Sequence, residues 1–162
     1  MISKPIQDAL NEQINFELFS AYLYLSMSAH FETQNLPGFA NWMRVQYQEE
    51  TAHAMKFYRY VFDRNGAVSL KAISQPATKF KAPVDIFKQV LEHEKKVTSL
   101  INKLYELALK EKDYAAQSFL QWFINEQVEE EKNAADIIAM LEMVGDSPVS
   151  LIMADRQLSA RK

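Results

Sequence analysis

Residues 37–66 read PGFANWMRVQYQEETAHAMKFYRYVFDRNG. Apolar side chains recur here every three or four residues, so they lie on one face of a helix. Glu50 and His53 interrupt that face at the same spacing, and Asn65-Gly66 is a suitable helix stop. The stretch therefore predicts a long amphipathic helix whose buried face carries an acid and a histidine. The full face consists of Phe39, Trp42, Met43, Gln46, Glu50, His53, Phe57 and Tyr60.

The positions of the few glycines and prolines predict the other helices around this one. Residues 84–144 contain neither residue type, and a single helix of that length would measure about 90 Å. We therefore place a break there, with Asp113 as a possible N-cap. Residues 66–83 lack helical periodicity and are long enough to run the length of a bundle. The expected helices are 5–33, 37–65, 84–111, 113–144 and 148–159.

These elements predict an all-α fold, a four-helix bundle with a long crossover between helices two and three and a short fifth helix. The length of 162 residues fits a single domain, residues 1–162. A formal charge of −3 without a Lys/Arg block argues against nucleic-acid binding. No apolar window is long enough for a membrane span, and the start of the chain lacks a signal-peptide pattern. The absence of cysteine excludes thiolate sites and favours a cytoplasmic setting.

Each of the four long helices places at least one acid on its apolar face. A buried carboxylate without a partner costs several kcal/mol, and no inward lysines or arginines match these acids. Together they would cost more than the ~5–15 kcal/mol by which domains are stable. We therefore expect a cation, and carboxylates with one imidazole suit iron or manganese. The inward set is Glu17, Glu50, His53, Glu94, Glu126 and Glu130.

Simpler interpretations exist for each residue taken alone. A single inward glutamate near a helix end is usually solvated, and many surface helices carry Glu-x-x-His. The joint pattern is more specific, because carboxylate-bridged di-iron bundles distribute their ligands over four helices in this way.

The chain resembles the non-haem bacterial ferritins over nearly its full length. The matching features are Glu17 and Tyr24 two turns apart, Glu49-Glu50-Thr51-Ala52-His53, His93-Glu94, Trp122, and the run Asn125-Glu126-Gln127-Val128-Glu129-Glu130-Glu131. The resemblance implies a ferritin-like bundle that assembles into a hollow cage of twenty-four subunits. Such a cage takes up Fe(II), oxidises it with O2 or H2O2 as a ferroxidase, and stores it as a ferric mineral.

The resemblance also implies roles for individual residues. The first iron site is Glu17, Glu50 and His53, with Glu50 bridging. The second iron site is Glu50, Glu94 and Glu130, with Gln127 as a weak or outer ligand. A nearby third iron site is Glu49, Glu126 and Glu129, which can share Glu130. Tyr24 and Trp122 are expected beside the centre, as hydrogen-bond donors or electron sources.

Two departures separate the chain from bacterioferritins. Those proteins repeat Glu-x-x-His on the fourth helix, where this chain has Gln127 and Glu130, and this asymmetry favours a site that passes iron onward. Their haem-binding methionine is replaced by Thr51, so we expect no haem.

Other functions remain open at this stage. One is a DNA-protecting mini-ferritin, although such proteins place ligands between subunits and lack the fifth helix. Another is a soluble di-iron oxidase or peroxidase without storage, and a third is a non-enzymatic signalling bundle. The fifth helix could dock on its own bundle, or pack around a four-fold axis through Leu151, Ile152 and Leu158.

Overall fold

The computed structural model describes residues 1–145 and 147–162, which form five helices and no strand. The helices are α1 (Lys4–Thr33), α2 (Pro37–Asp63), α3 (Pro83–Lys110), α4 (Tyr114–Val144) and α5 (Pro148–Leu158). Each begins and ends within two residues of the expected position. The all-α bundle with a short fifth helix is thereby confirmed. None of the described helices is both long enough and apolar enough to span a bilayer.

The long crossover follows α1 along the outside of the bundle. Near the start of α1, the Gln7 side chain accepts from the Ala67 amide at 2.9 Å. The Asn11 side chain donates to the Ala67 carbonyl and accepts from the Ser69 amide. Towards the other end of α1, Ser26 donates to the carbonyl of Ala77 at 2.6 Å. These bonds satisfy backbone groups of a segment that has no secondary structure of its own.

The break between α3 and α4 is a tight turn at Lys112 and Asp113. Lys112 adopts a positive φ of 54°, which a continuing helix does not allow. The Asp113 carboxylate then accepts from the Ala116 amide at 3.0 Å and caps α4. Arg64, at the end of α2, donates to both oxygens of the same carboxylate. The cap therefore also ties the turn to α2.

A layer of polar side chains divides the apolar core into two clusters. One cluster includes Tyr24, Met43, Val90 and Ala134, and the other includes Ile14, Phe57, Val97 and Phe123. The inward acids lie between these two groups along every long helix. The layer is Glu17, Glu50, His53, Glu94, Gln127 and Glu130, all buried.

Helix α5 docks where α2 begins. Leu36, the N-cap residue of α2, offers no side-chain cap, and Asp155 of α5 takes that role by accepting from the Gly38 and Phe39 amides at 2.8 and 3.0 Å. A Cβ atom on Gly38 would lie 1.7 Å from the Asp155 carbonyl oxygen, so the close approach requires glycine. Leu158 is buried against its own bundle, whereas Ile152 remains exposed.

Candidate metal centre

The polar layer brings one acid from each long helix to the middle of the bundle. Glu17, Glu50, Glu94, Glu130 and His53 retain only 1–4% of their surface exposure. Their inward direction follows from helical spacing, because each lies on the helix face that carries buried residues of the apolar core further along the same helix. The structure thus places together the five residues expected to carry the first and second iron sites.

The closest cluster consists of Glu17, Glu50 and His53. Each offers one ligand atom, and the three atoms lie within 4.8 Å of one another. His53 Nδ1 lies 3.3 Å from a Glu50 oxygen, as the three-residue spacing on α2 predicts. One metal ion can therefore be reached by all three side chains.

His53 also belongs to a second cluster, on the α4 side. Its Nε2 atom lies 3.6 Å from a Glu126 oxygen, and Glu130 completes a group whose ligand atoms lie within 4.8 Å of one another. The two ring nitrogens of His53 thus face carboxylates on opposite sides. Glu126 is half-buried, so this second cluster reaches towards the protein surface.

Neutral amide groups orient the buried acids. Gln13 donates to Glu17 at 2.7 Å. Gln46 donates to both Glu50 (3.1 Å) and Glu130 (2.8 Å) and so connects α2 to α4. Gln127 donates to the Glu94 carboxylate at 3.1 Å. These bonds fix carboxylate geometry and leave the net negative charge of the cluster unchanged.

Tyr24 and His93 stand beside the Glu94 carboxylate. The Tyr24 hydroxyl donates to Glu94, and burial with the nearby acid raises the pKa of Tyr24 well above its ordinary value. His93 lies edge-on to the Tyr24 ring, and its Nε2 is 2.7 Å from the Ser20 hydroxyl. Burial, with a smaller contribution from Lys96, lowers the pKa of His93 to about 4. His93 is therefore a neutral packing partner of Tyr24 and directs Nε2 at a hydroxyl group.

Burial shifts the protonation of the acids themselves. It raises the pKa of Glu17 and Glu50 well above the usual glutamate value, and neighbouring carboxylates raise both further. Burial also raises the pKa of Glu94 to about 7, against the lowering effect of its bonds from Tyr24 and Gln127. The pKa of Glu130 is raised to about 7 by burial and by the Glu94 charge. A divalent cation binding here would displace protons that the carboxylates otherwise hold.

The donor set fits iron. Among the described residues, no lysine or arginine forms an ion pair with the four buried acids, and one oxygen of Glu17 has no hydrogen-bond partner. Such an orphaned buried oxygen is costly unless it binds something. Hard carboxylate oxygens with one imidazole suit Fe(II) and favour Fe(III) still more. The layer thus offers the kind of ligand atoms that hold an oxidisable divalent cation.

The residues expected to form a third iron site are less closely assembled. Glu126 approaches His53 and Glu130, as described above. Glu49 instead forms an ion pair with Arg161, which follows α5 in the chain. Glu129 is exposed and forms no ion pair or side-chain hydrogen bond within the described part of the chain. Trp122 packs edge-on against His53 with the ring centroids 5.4 Å apart, and Lys56 covers its ring.

Three residues in or beside the layer were not assigned a role by the sequence. Gln13 and Gln46 each lie four residues before the acid they orient, so helical spacing alone could have identified them. Arg161 could not have been found in that way. It lies beyond α5 and reaches Glu49 only through the docking of that helix.

Comparison with known proteins agrees with this geometry. The Ferritin-like domain model matches residues 7–144. A bacterial non-heme ferritin from Bacteroides fragilis (strain 638R) is 42% identical over 161 residues, covering 99% of this chain and 100% of the relative. One from Staphylococcus haemolyticus is 41% identical and covers 99% and 97%. A crystal structure of an open-pore ferritin from the archaeon Archaeoglobus fulgidus superposes with a TM-score of 0.98 at 48% identity, covering 100% and 99%. The chain therefore belongs to the ferritin family.

Proposed function

We propose that this ferritin oxidises Fe(II) at the buried layer and stores the Fe(III) product as a mineral inside a cage. The observation that carries the proposal is the set of four buried acids and one histidine, which the described chain supplies with amide donors but no ion-paired lysine or arginine. In the ionised state, a cluster of that charge is destabilising until cations bind it. Iron is here the substrate, and the residues of the layer are its binding site.

In the binding step, Glu17, Glu50 and His53 would hold one Fe(II), and Glu50, Glu94 and Glu130 the other. Glu50 is common to both groups and would be shared by the two ions. The Gln46 amide donates to Glu50 and Glu130 together and so holds the bridging acid in register with α4. In the metal-free cluster the raised pKa values of these carboxylates favour bound protons. Cations favour the ionised form, so the protons leave as the two ions bind.

In the redox step, each Fe(II) gives up one electron. Two Fe(II), one O2 and two protons yield two Fe(III) and one H2O2. With peroxide as the oxidant, two Fe(II), one H2O2 and two protons yield two Fe(III) and two waters. The carboxylate ligands favour this direction because they stabilise the harder, more highly charged ion. Tyr24 stands close enough to donate a hydrogen bond at Glu94 during either reaction.

The onward step would take Fe(III) past His53 towards Glu126 and the proposed third site. His53 supports this route because it belongs to both clusters of possible ligands. Hydrolysis of Fe(III) would complete mineral formation within the cage, for which we propose twenty-four subunits in a cytoplasmic setting. A DNA-protecting mini-ferritin is less well supported, since the acids of the buried layer all come from one chain.

The proposal is tested with a variant carrying Glu50→Ala and His53→Ala. We expect rapid oxidation at about two Fe(II) per subunit to slow by about 100-fold or more, because the bridging acid and the imidazole are both removed. Stopped-flow absorbance after mixing Fe(II) with O2 measures the rate. Glu106→Ala, at an exposed acid on α3, serves as the matched control and should leave the rate unchanged. Fast oxidation in the double variant would refute the assignment of the layer.

A further inference from the structure

The side chain of Arg161 is held on the surface of α2 by three contacts. Its guanidinium lies over the Trp42 ring, 4.2 Å from the centroid, and donates to the Trp42 carbonyl at 3.4 Å. It also donates to the carboxylate of Glu49. The Asn41 side chain donates to the Arg161 carbonyl at 2.9 Å, so the backbone is fixed as well. The positive charge of Arg161 is consequently fixed in position, and only 18% of its side chain is exposed.

Glu49 directly precedes the bridging acid Glu50 on α2, yet it faces a different environment. Its side chain is 40% exposed, whereas Glu50 is enclosed in the polar layer. The proposed third iron site depends on Glu49. Any cation that binds there must compete with a guanidinium that already occupies the carboxylate.

We infer that Arg161 is a built-in competitor of iron at the third site, holding Glu49 until iron arrives and weakening the site so that iron moves on. This inference rests on the proposed function. It assigns a role to a residue that lies outside the buried layer and provides no ligand atom, because a guanidinium only donates hydrogen bonds.

The contacts with Trp42 explain why the competition persists. When Glu49 turns to bind a cation, Arg161 loses one partner but keeps the ring face and the carbonyl of Trp42. Arg161 thus stays beside Glu49 and can take the carboxylate back from the cation.

The test compares the purified metal-free proteins under anaerobic conditions, with Fe(II) itself as the probe. Arg161→Gln should tighten the third site by about fivefold, the change expected for losing one half-exposed ion pair. Arg161→Lys should stay within about twofold of the natural chain, because it keeps the charge. Isothermal titration gives the affinities, and diffraction at the iron absorption edge counts the ions near Glu49 and Glu50. Arg156→Gln, at an exposed arginine of α5, is the control for net charge.

The same substitution of Arg161, made in a Glu49→Gln variant, shows whether Glu49 mediates the effect. In Glu49→Gln, the further change of Arg161 to Gln should alter no affinity, since the contested carboxylate is already gone. A gain that survives in this background would overturn the inference, as would an unchanged third site in Arg161→Gln while two ions still bind around Glu50. Failure of any ion to bind around Glu50 in the natural chain would instead refute the proposed function.

Discussion

Amide side chains, rather than cationic ones, contact the acids of the polar layer. Gln13, Gln46 and Gln127 each donate to a carboxylate that is expected to bind iron. A lysine or arginine in the same place would neutralise the acids and compete with metal, as we infer for Arg161 at Glu49. An amide holds the oxygen in position and leaves the charge for the substrate. The choice of glutamine thus keeps the centre strongly anionic.

The buried acids predict an unusual pH dependence for the metal-free protein. The pKa of Glu94 and of Glu130 is about 7 in the folded chain, against an ordinary glutamate value of 4.5. Between these two pH values the native state binds more protons than the unfolded chain, so stability falls as pH rises. Calorimetry should therefore show a lower melting temperature at pH 8 than at pH 5 for metal-free protein. A divalent cation should restore much of the loss at pH 8.

The matched variant for this prediction is Glu94→Gln with Glu130→Gln. It removes two of the titrating groups while keeping their shape and their capacity to accept hydrogen bonds. The decline in melting temperature from pH 5 to pH 8 should be clearly smaller than in the natural chain. An equal decline in both proteins would show that other groups control the pH dependence.

The buried acids were predictable from the sequence because each interrupts an apolar stripe with a period that local geometry fixes. The same periodicity predicted that Glu126 faces inward, and Glu126 does approach His53. Periodicity could not predict the partner of Glu49. Arg161 is 112 residues away, and nothing in its local sequence indicates that it lies against α2. Local spacing thus predicts the helix face on which a side chain lies, whereas the docking of distant segments determines which residues it contacts.

Among the elements, helix ends were predictable where glycine or proline marks them. The α3–α4 break followed only from the implausible length of an unbroken helix, and the structure attributes it to the positive φ of Lys112 and the Asp113 cap. The docking of α5 was not predictable in detail. Asp155 is an isolated acid in an ordinary helical pattern, and its function as a cap for α2 depends on two elements meeting.

That docking gives a prediction at the level of the element. Asp155→Ala would leave the Gly38 and Phe39 amides buried without their acceptor, at a cost of about 2 kcal/mol. Asp155→Asn keeps an oxygen in place and should cost less. Hydrogen exchange read by mass spectrometry should show faster exchange in α5 and in the first turn of α2 for the alanine variant. Equal protection in the alanine variant and the natural chain would exclude a role for this carboxylate in docking.

For the whole molecule, α5 presents two different faces. Ala154, Asp155 and Leu158 pack on their own bundle, whereas Ile152 and Met153 are 52% and 66% exposed. Of the residues expected at a symmetry axis, Leu158 is thus already buried within one subunit and Ile152 is free to meet another. Exposed apolar side chains on a docked helix are typical of an interface between subunits.

The storage half of the proposed function depends on assembly, and particle mass tests it directly. Twenty-four chains of 18.7 kDa give a particle of about 450 kDa, which native mass spectrometry resolves easily. Ile152→Glu should reduce the assembled fraction, because it buries a charge in every copy of an interface, while helix content stays unchanged. Gln157→Glu adds the same charge to α5 and serves as the control. A natural chain that remains a monomer or dimer would leave the oxidation chemistry possible but would remove the compartment that storage requires.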